Sequence, residues 1–199
     1  MLNRRDMLAM VALGATPGLA WAQSRPAASQ LIAAARRQIG VTQSYDPAYS
    51  RLAFPGGDVP RGKGVCTDVV IRAYRDAFGI DLQALVNADM RRAFAAYPKR
   101  WGLRRPDSNI DHRRVPNLET FLARQNARLP LPARLADWRS GDLFTCLVGG
   151  TLPHIGILSD RRDRASGRPL VIHNIGGGAR EEDVLADHRL TGRFRWRVA

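Results

Sequence analysis

The sequence predicts an α+β fold in which N-terminal helices pack on a mostly antiparallel sheet. Three observations carry that expectation. In the first half apolar residues recur at helical spacing, most clearly Val65, Val69, Val70, Ala73, Tyr74, Ala77 and Phe78. In the second half short apolar runs are separated by Gly, Pro and Asp turns, the pattern of strands in a sheet. Helices that precede strands, without alternating with them, end up on one face of an antiparallel sheet.

In chain order, residues 27–39 read as a first helix ended by Gly40. Thr42 to Gly64 follows as a long loop broken by Pro47, Pro55, Gly56, Gly57, Pro60, Gly62 and Gly64, and a loop of that length in a small domain is usually functional or a lid. It delivers the chain to a helix that begins around Cys66 and closes at Gly79. A second amphipathic segment spans Asp81 to Phe94, with Leu82, Leu85, Val86 and Met90 on its apolar face. Residues 97–116 are irregular, and Pro116 fits the first turn of a helix through Asn126. Strands are expected at Asp142–Val148, His154–Ser159, Pro169–Asn174 and Arg193–Val198.

The ends and the composition bound the setting. Residues 1–22 read as an export signal: a charged start at Asn3-Arg4-Arg5-Asp6, a short apolar run from Leu8 to Leu19, and a small-x-small site at Ala20-Trp21-Ala22. Arg4-Arg5 followed by Met7-Leu8 fits either twin-arginine export or an ordinary secretory signal. Residues 23–199 are then a single domain, expected as a periplasmic or secreted monomer with no transmembrane segment. The chain has 31 basic and 18 acidic residues, a net charge of +13. Such a surface suits peptidoglycan or another anionic cell-envelope polymer. Nucleic acid is not expected, given the export signal and the lack of any nucleic-acid-binding motif. The two cysteines, Cys66 and Cys146, could pair in an oxidising compartment, although a domain of this size does not need a disulfide. Their spacing fits no zinc pattern, and no metal or other cofactor is expected.

The chemistry centres on Gly64-Val65-Cys66-Thr67-Asp68-Val69-Val70, which puts a cysteine in the first turn of a helix. Free N–H groups and the positive end of the helix dipole favour a thiolate there. A catalytic cysteine also needs a base and a group that orients the base. His154 opens one expected strand and His173 closes the next, so adjacent strands can bring the two together near Cys66. His154 would be the base, with His173, or Asn174 beside it, as the orienting group. Gly156, on the same face as His154, would leave room for a helix. Asp111, His112, Arg113 and Arg114 would either bind a substrate carboxylate or pair among themselves as a salt-bridged loop. Asp68 complements the helix dipole, His188 reads as exposed, and Gly176-Gly177-Gly178 as a turn near His173.

Cys66, Pro153-His154-Ile155-Gly156-Ile157 and Val171-Ile172-His173 resemble the NlpC-type branch of papain-like cysteine hydrolases. Tyr45-Asp46-Pro47-Ala48-Tyr49, Pro55-Gly56-Gly57-Asp58-Val59-Pro60, Gly64 to Val69, Asn109 to Leu118, Gly141-Asp142 and Ile172-His173-Asn174-Ile175-Gly176 are similar to signatures of the exported bacterial domain-of-unknown-function family numbered 1287. The resemblance covers residues 27–199. It implies a papain-like fold, with Cys66 as nucleophile, His154 as base and His173 as orienting residue. It also implies hydrolysis of amide bonds, with cell-wall stem peptides the usual substrate of the broader branch. Tyr45 would then either help hold the oxyanion or anchor the loop. Two departures stand out: Val65-Cys66-Thr67-Asp68 replaces the usual Asp-Cys-Ser-Gly, and Asp111-His112-Arg113-Arg114 has no counterpart in the usual pattern. The leading expectation is an exported cysteine hydrolase. A non-catalytic wall-binding or scaffold domain, and an acyltransferase using the same cysteine, are the alternatives.

Overall fold

Helical periodicity and strand alternation sort the apolar residues onto two faces, and the computed structural model, which describes residues 17–196, is built on that sorting. Four α-helices are present among the described residues: α1 (Pro17–Arg36), α2 (Cys66–Phe78), α3 (Leu82–Ala93) and α4 (Val115–Arg124). Two short strands, β1 (Ser44–Tyr45) and β2 (Lys63–Gly64), lie before α2 and pair in parallel. Six more strands follow: β3 (Arg128–Leu129), β4 (Leu143–Val148), β5 (Leu152–Arg162), β6 (Pro169–Asn174), β7 (Ala179–Glu182) and β8 (Arg189–Phe194). They form one sheet in the order β3-β8-β4-β5-β6-β7, antiparallel at every pairing. The α+β class and the helices-first order are as the sequence predicts.

The helices cover one face of the sheet. Leu143, Ile155, Ile157, Ile172 and Phe194 pack there against Leu31 and Ile32 of α1, Val69, Val70 and Tyr74 of α2, and Leu118 and Phe121 of α4. Each such side chain contributes roughly 1.5–3 kcal/mol on full burial. The opposite face carries Phe144, Cys146, Leu158 and Val171, covered by Trp138 and Leu185 from the connecting segments. Alternation along β5 therefore sends Ile155 and Ile157 toward the helices and His154, Gly156 and Leu158 away from them.

Several boundaries differ from expectation for physical reasons. α1 starts before residue 27 and stops at Arg36, and Gly40, at φ 81°, sits in the turn that follows. α3 is capped by Asp81, whose side chain accepts from the Gln83 N–H, and α2 ends on Gly79 at φ 68°. β5 runs on to Arg162 because its far end is a solvated hairpin arm. The last strand spans Arg189–Phe194, earlier than the expected 193–198, because Leu143 to Leu147 pair with it from Phe194 back to Arg189. Residues 1–16 of the expected export signal, and 197–198 of that expected strand, lie outside the described residues. Among the described residues no helix is long and apolar enough to cross a membrane.

Candidate active site

The chain is held in place before it reaches Cys66. Arg72, one helical turn and a half further along α2 and fully buried, binds both Asp58 oxygens and donates to the carbonyls of Val59 and Lys63. The 42–64 loop is thus pinned from within by a residue of the helix it precedes. At its base Tyr45 pairs with Gly64 in the β1–β2 ladder, so both arms of the loop meet beside Cys66.

The helix start is braced by charge. Val65 at the N-cap has no capping side chain, and Asp68 supplies the acceptor: its Oδ2 takes the Val65 N–H at 2.7 Å. The same carboxylate receives Nε and a terminal nitrogen of Arg113, both at 2.9 Å, in a pair with side chains only 2–3% exposed. Thr67 Oγ1 donates to the Arg113 carbonyl. Asp68 therefore does more than complement the dipole. Arg114 pairs with Asp111 and lies 4.1 Å over the Trp101 ring. Asp111 also accepts the Asp107 N–H. His112 is buried, its Nδ1 has no partner, and burial pushes it down to about 4. Of the two readings of residues 111–114, the salt-bridged one describes these contacts, and the segment braces the start of α2.

Cys66 is 3% exposed. Its thiol meets the Ile155 N–H of β5, the Thr67 N–H and the Tyr45 hydroxyl. The helix start predicts a stabilised thiolate, and here that expectation is corrected. Burial pushes the thiol up to about 11, with the Asp68 charge adding to it, and the N–H groups only partly offset this. Tyr45 is likewise raised, to about 12, by burial and by the neighbouring thiol and Asp68.

The two histidines meet as expected. His154 Nε2 and His173 Nδ1 are 2.8 Å apart, and His173 Nε2 lies 3.0 Å from Glu182 Oε1 on β7. Burial pushes His154 down to about 3, with His173 and His188 adding to it. Burial also lowers His173, against the pull of Glu182. Both imidazoles are neutral at neutral pH. Gly156 makes room for these rings and not for a helix: a Cβ there would stand 2.6 Å from Phe144 Cε1 and 3.0 Å from His173 Cβ. His154 packs edge-on to Phe144 on the same side.

The histidines therefore stand on the face turned away from α2, while the thiol reaches β5 from the helix side at the next residue, Ile155. No hydrogen bond joins Cys66 to His154. The β5–β6 ladder begins at Ile157–Ile172, so His154 and His173 lie past its end, where the two strands are no longer paired. Of the two His154 ring nitrogens, Nε2 is the bonded one and Nδ1 makes no hydrogen bond among the described residues. Asn174 does not orient an imidazole. Its amide donates to the carbonyls of Gly64 and Ser44 and ties β6 to the segment entering α2.

Glu182 was not visible in the sequence, since it lies in the polar run Ala179-Arg180-Glu181-Glu182; pairing that run with Val171–Asn174 is the only signal for it. Cys146 sits opposite His154 across β4–β5, is a free thiol like Cys66, and is pushed up to about 12 by burial. Among the described residues no group of three or more His, Cys, Asp and Glu side chains could hold a metal ion.

Residues 32–196 match the family described as "Domain of unknown function (DUF1287)". An uncharacterized protein of Escherichia coli (strain K12), YijF, is 54% identical over 164 residues, which cover 82% of this chain and 79% of its own length.

Proposed function

The chain belongs to the DUF1287 family, and we propose that it is an exported cysteine hydrolase of papain-like, NlpC-type architecture that cleaves an amide bond in peptidoglycan stem peptides. The observation that carries this reading is the His154–His173 hydrogen bond at 2.8 Å, which occupies Nε2 and leaves Nδ1 of a neutral imidazole open, one residue from the contact of Cys66 with β5. A neutral imidazole is a competent proton acceptor; no hydrogen bond joins His154 to Cys66, so in this reading the two must close on one another past the open end of the β5–β6 ladder when substrate binds.

In this mechanism the substrate carbonyl docks over the start of α2. Cys66 Sγ attacks the carbonyl carbon as its proton passes to His154 Nδ1. The Cys66 backbone N–H and the Tyr45 hydroxyl, both beside the thiol, would donate to the oxyanion as it forms. His154 returns the proton to the leaving amine, the C–N bond breaks, and an acyl-enzyme remains. Water then gives a proton to His154 and attacks the thioester, releasing the acid and restoring the thiol. Because the thiol rests protonated, proton transfer and attack are concerted.

A second reading has one observation in its favour. The deep burial of Cys66 and its raised thiol also suit a non-catalytic wall-binding domain in which the cysteine is packing. Digestion of purified sacculi by the wild type and Cys66→Ala, with mass spectrometry of the released fragments, separates the two. The hydrolase releases muropeptides that Cys66→Ala does not, and identical profiles remove that substrate. Products from sacculi supplied with an amine acceptor distinguish acyl transfer from hydrolysis.

A further inference from the structure

We propose that Glu182 is a positioning residue: acting through His173, it dictates which ring nitrogen of His154 carries the proton and so makes Nδ1 of His154 the base. The base role rests on the hydrolase reading above; the assignment of the proton rests on the two ring hydrogen bonds together with a neutral His173, which its burial favours.

A carboxylate oxygen can only accept a hydrogen bond. Glu182 Oε1 at 3.0 Å therefore requires His173 to carry its proton on Nε2. A neutral imidazole has one N–H, so His173 Nδ1 is left as an acceptor. His154 Nε2, 2.8 Å from that Nδ1, must then be the donor. The lone pair of His154 is consequently on Nδ1. The reverse arrangement would face the Glu182 oxygen with the unprotonated Nε2 of His173, two acceptors in contact. A carboxylate two rings away thus sets the polarity of the chain, while His173 is fully buried and Glu182, with its side chain 36% exposed, reaches it from the edge strand.

The other charged groups near the rings leave this ordering unchanged. His188 acts on both rings and Arg180 on His173, each by charge and not by a hydrogen bond to a ring nitrogen. Cys146, opposite His154, is a protonated thiol on the same face.

The test is nitrogen NMR of the full chain with labelled histidine at pH 7, on the wild type, Glu182→Gln and Glu182→Asp. His154 and His173 should each give a single tautomer in the wild type, protonated on Nε2 with Nδ1 in the unprotonated range. Gln can donate or accept, so Glu182→Gln should lose that single signature and show both tautomers of His154, with kcat falling in step and KM unmoved. Glu182→Asp keeps an acceptor and should retain the wild-type tautomer. His154 protonated on Nδ1 in the wild type, or an unchanged single tautomer in Glu182→Gln, would overturn the assignment. Wild-type tautomers as expected together with no hydrolysis of sacculi would instead reject the hydrolase reading and leave the assignment standing. Glu182 is partly exposed on an edge strand, so both variants should fold, which the remaining histidine signals report directly.

Discussion

Cys66 and His154 are both uncharged at neutral pH, because burial pushes the thiol up to about 11 and the imidazole down to about 3. A resting thiolate–imidazolium pair is therefore not what this site holds. Alkylation of Cys66 by iodoacetamide should rise steadily from pH 6 to pH 10 in the absence of substrate, with no plateau at neutral pH. A plateau below pH 7 would mean a preformed thiolate and contradict this account. Removing the orienting ring should matter as much as general-base catalysis usually does, so His173→Ala should lower sacculus hydrolysis by about 10²-fold or more. At this scale the sequence carried Cys66, His154 and His173 as candidates, since a cysteine at a helix start and two histidines on successive strands leave a trace. It could not carry the state of the thiol. The depth of burial that raises it arises from packing between segments far apart in the chain.

At the scale of elements, the start of α2 is held by contacts that join three segments. Asp68 on α2 meets Arg113, whose other donors reach the carbonyls of Asp46 and Ala48 on the long loop. Arg113→Ala would leave the Asp68 charge buried without its partner, a loss of about 3–5 kcal/mol in urea unfolding. Arg134→Ala, which opens the exposed Arg134–Asp137 pair, should leave the midpoint where it was. Gly156→Ala would drive a methyl into Phe144 and His173, so it should cost about 1–3 kcal/mol and disturb the His154–His173 bond even where the sheet survives. α2 was legible because its apolar stripe and Gly79 are both local signals. β7 was not, because an edge strand of Ala-Arg-Glu-Glu has no apolar alternation, and Glu182 was lost with it. The face occupied by Gly156 was also misjudged: alternation gives two faces, but only the packed helices say which one they cover.

For the whole molecule, three lowered histidines tie stability to pH. His112, His154 and His173 are held below the ordinary histidine value of about 6.5, each chiefly by burial. Below that value the unfolded chain binds protons that the folded chain refuses. Their contribution is therefore complete above about pH 6.5 and is lost as pH falls, down to about 4 for His112 and about 3 for His154, at up to about 1.4 kcal/mol per pH unit for each ring. Asp111, raised by burial, offsets part of the loss near the acid end. The thermal midpoint should drop markedly from pH 7.5 to pH 5, and an unchanged midpoint would contradict the neutral, buried histidines. A charge of +13 would favour adsorption to anionic sacculi independently of the proposed catalysis. Raising salt from 0.1 to 1 M, which shortens the screening length from about 10 Å to about 3 Å, should release the protein from sacculi.

The claim at the centre is that Cys66 is a nucleophile served by His154. Its most direct measurement is covalent labelling of the native chain by a peptidyl electrophile at neutral pH, read by intact mass and peptide mapping. One adduct is expected, on Cys66, that persists in Cys146→Ala and is lost or strongly slowed in His154→Ala. An adduct on Cys146, or equal labelling of Cys66 with and without His154, would contradict it.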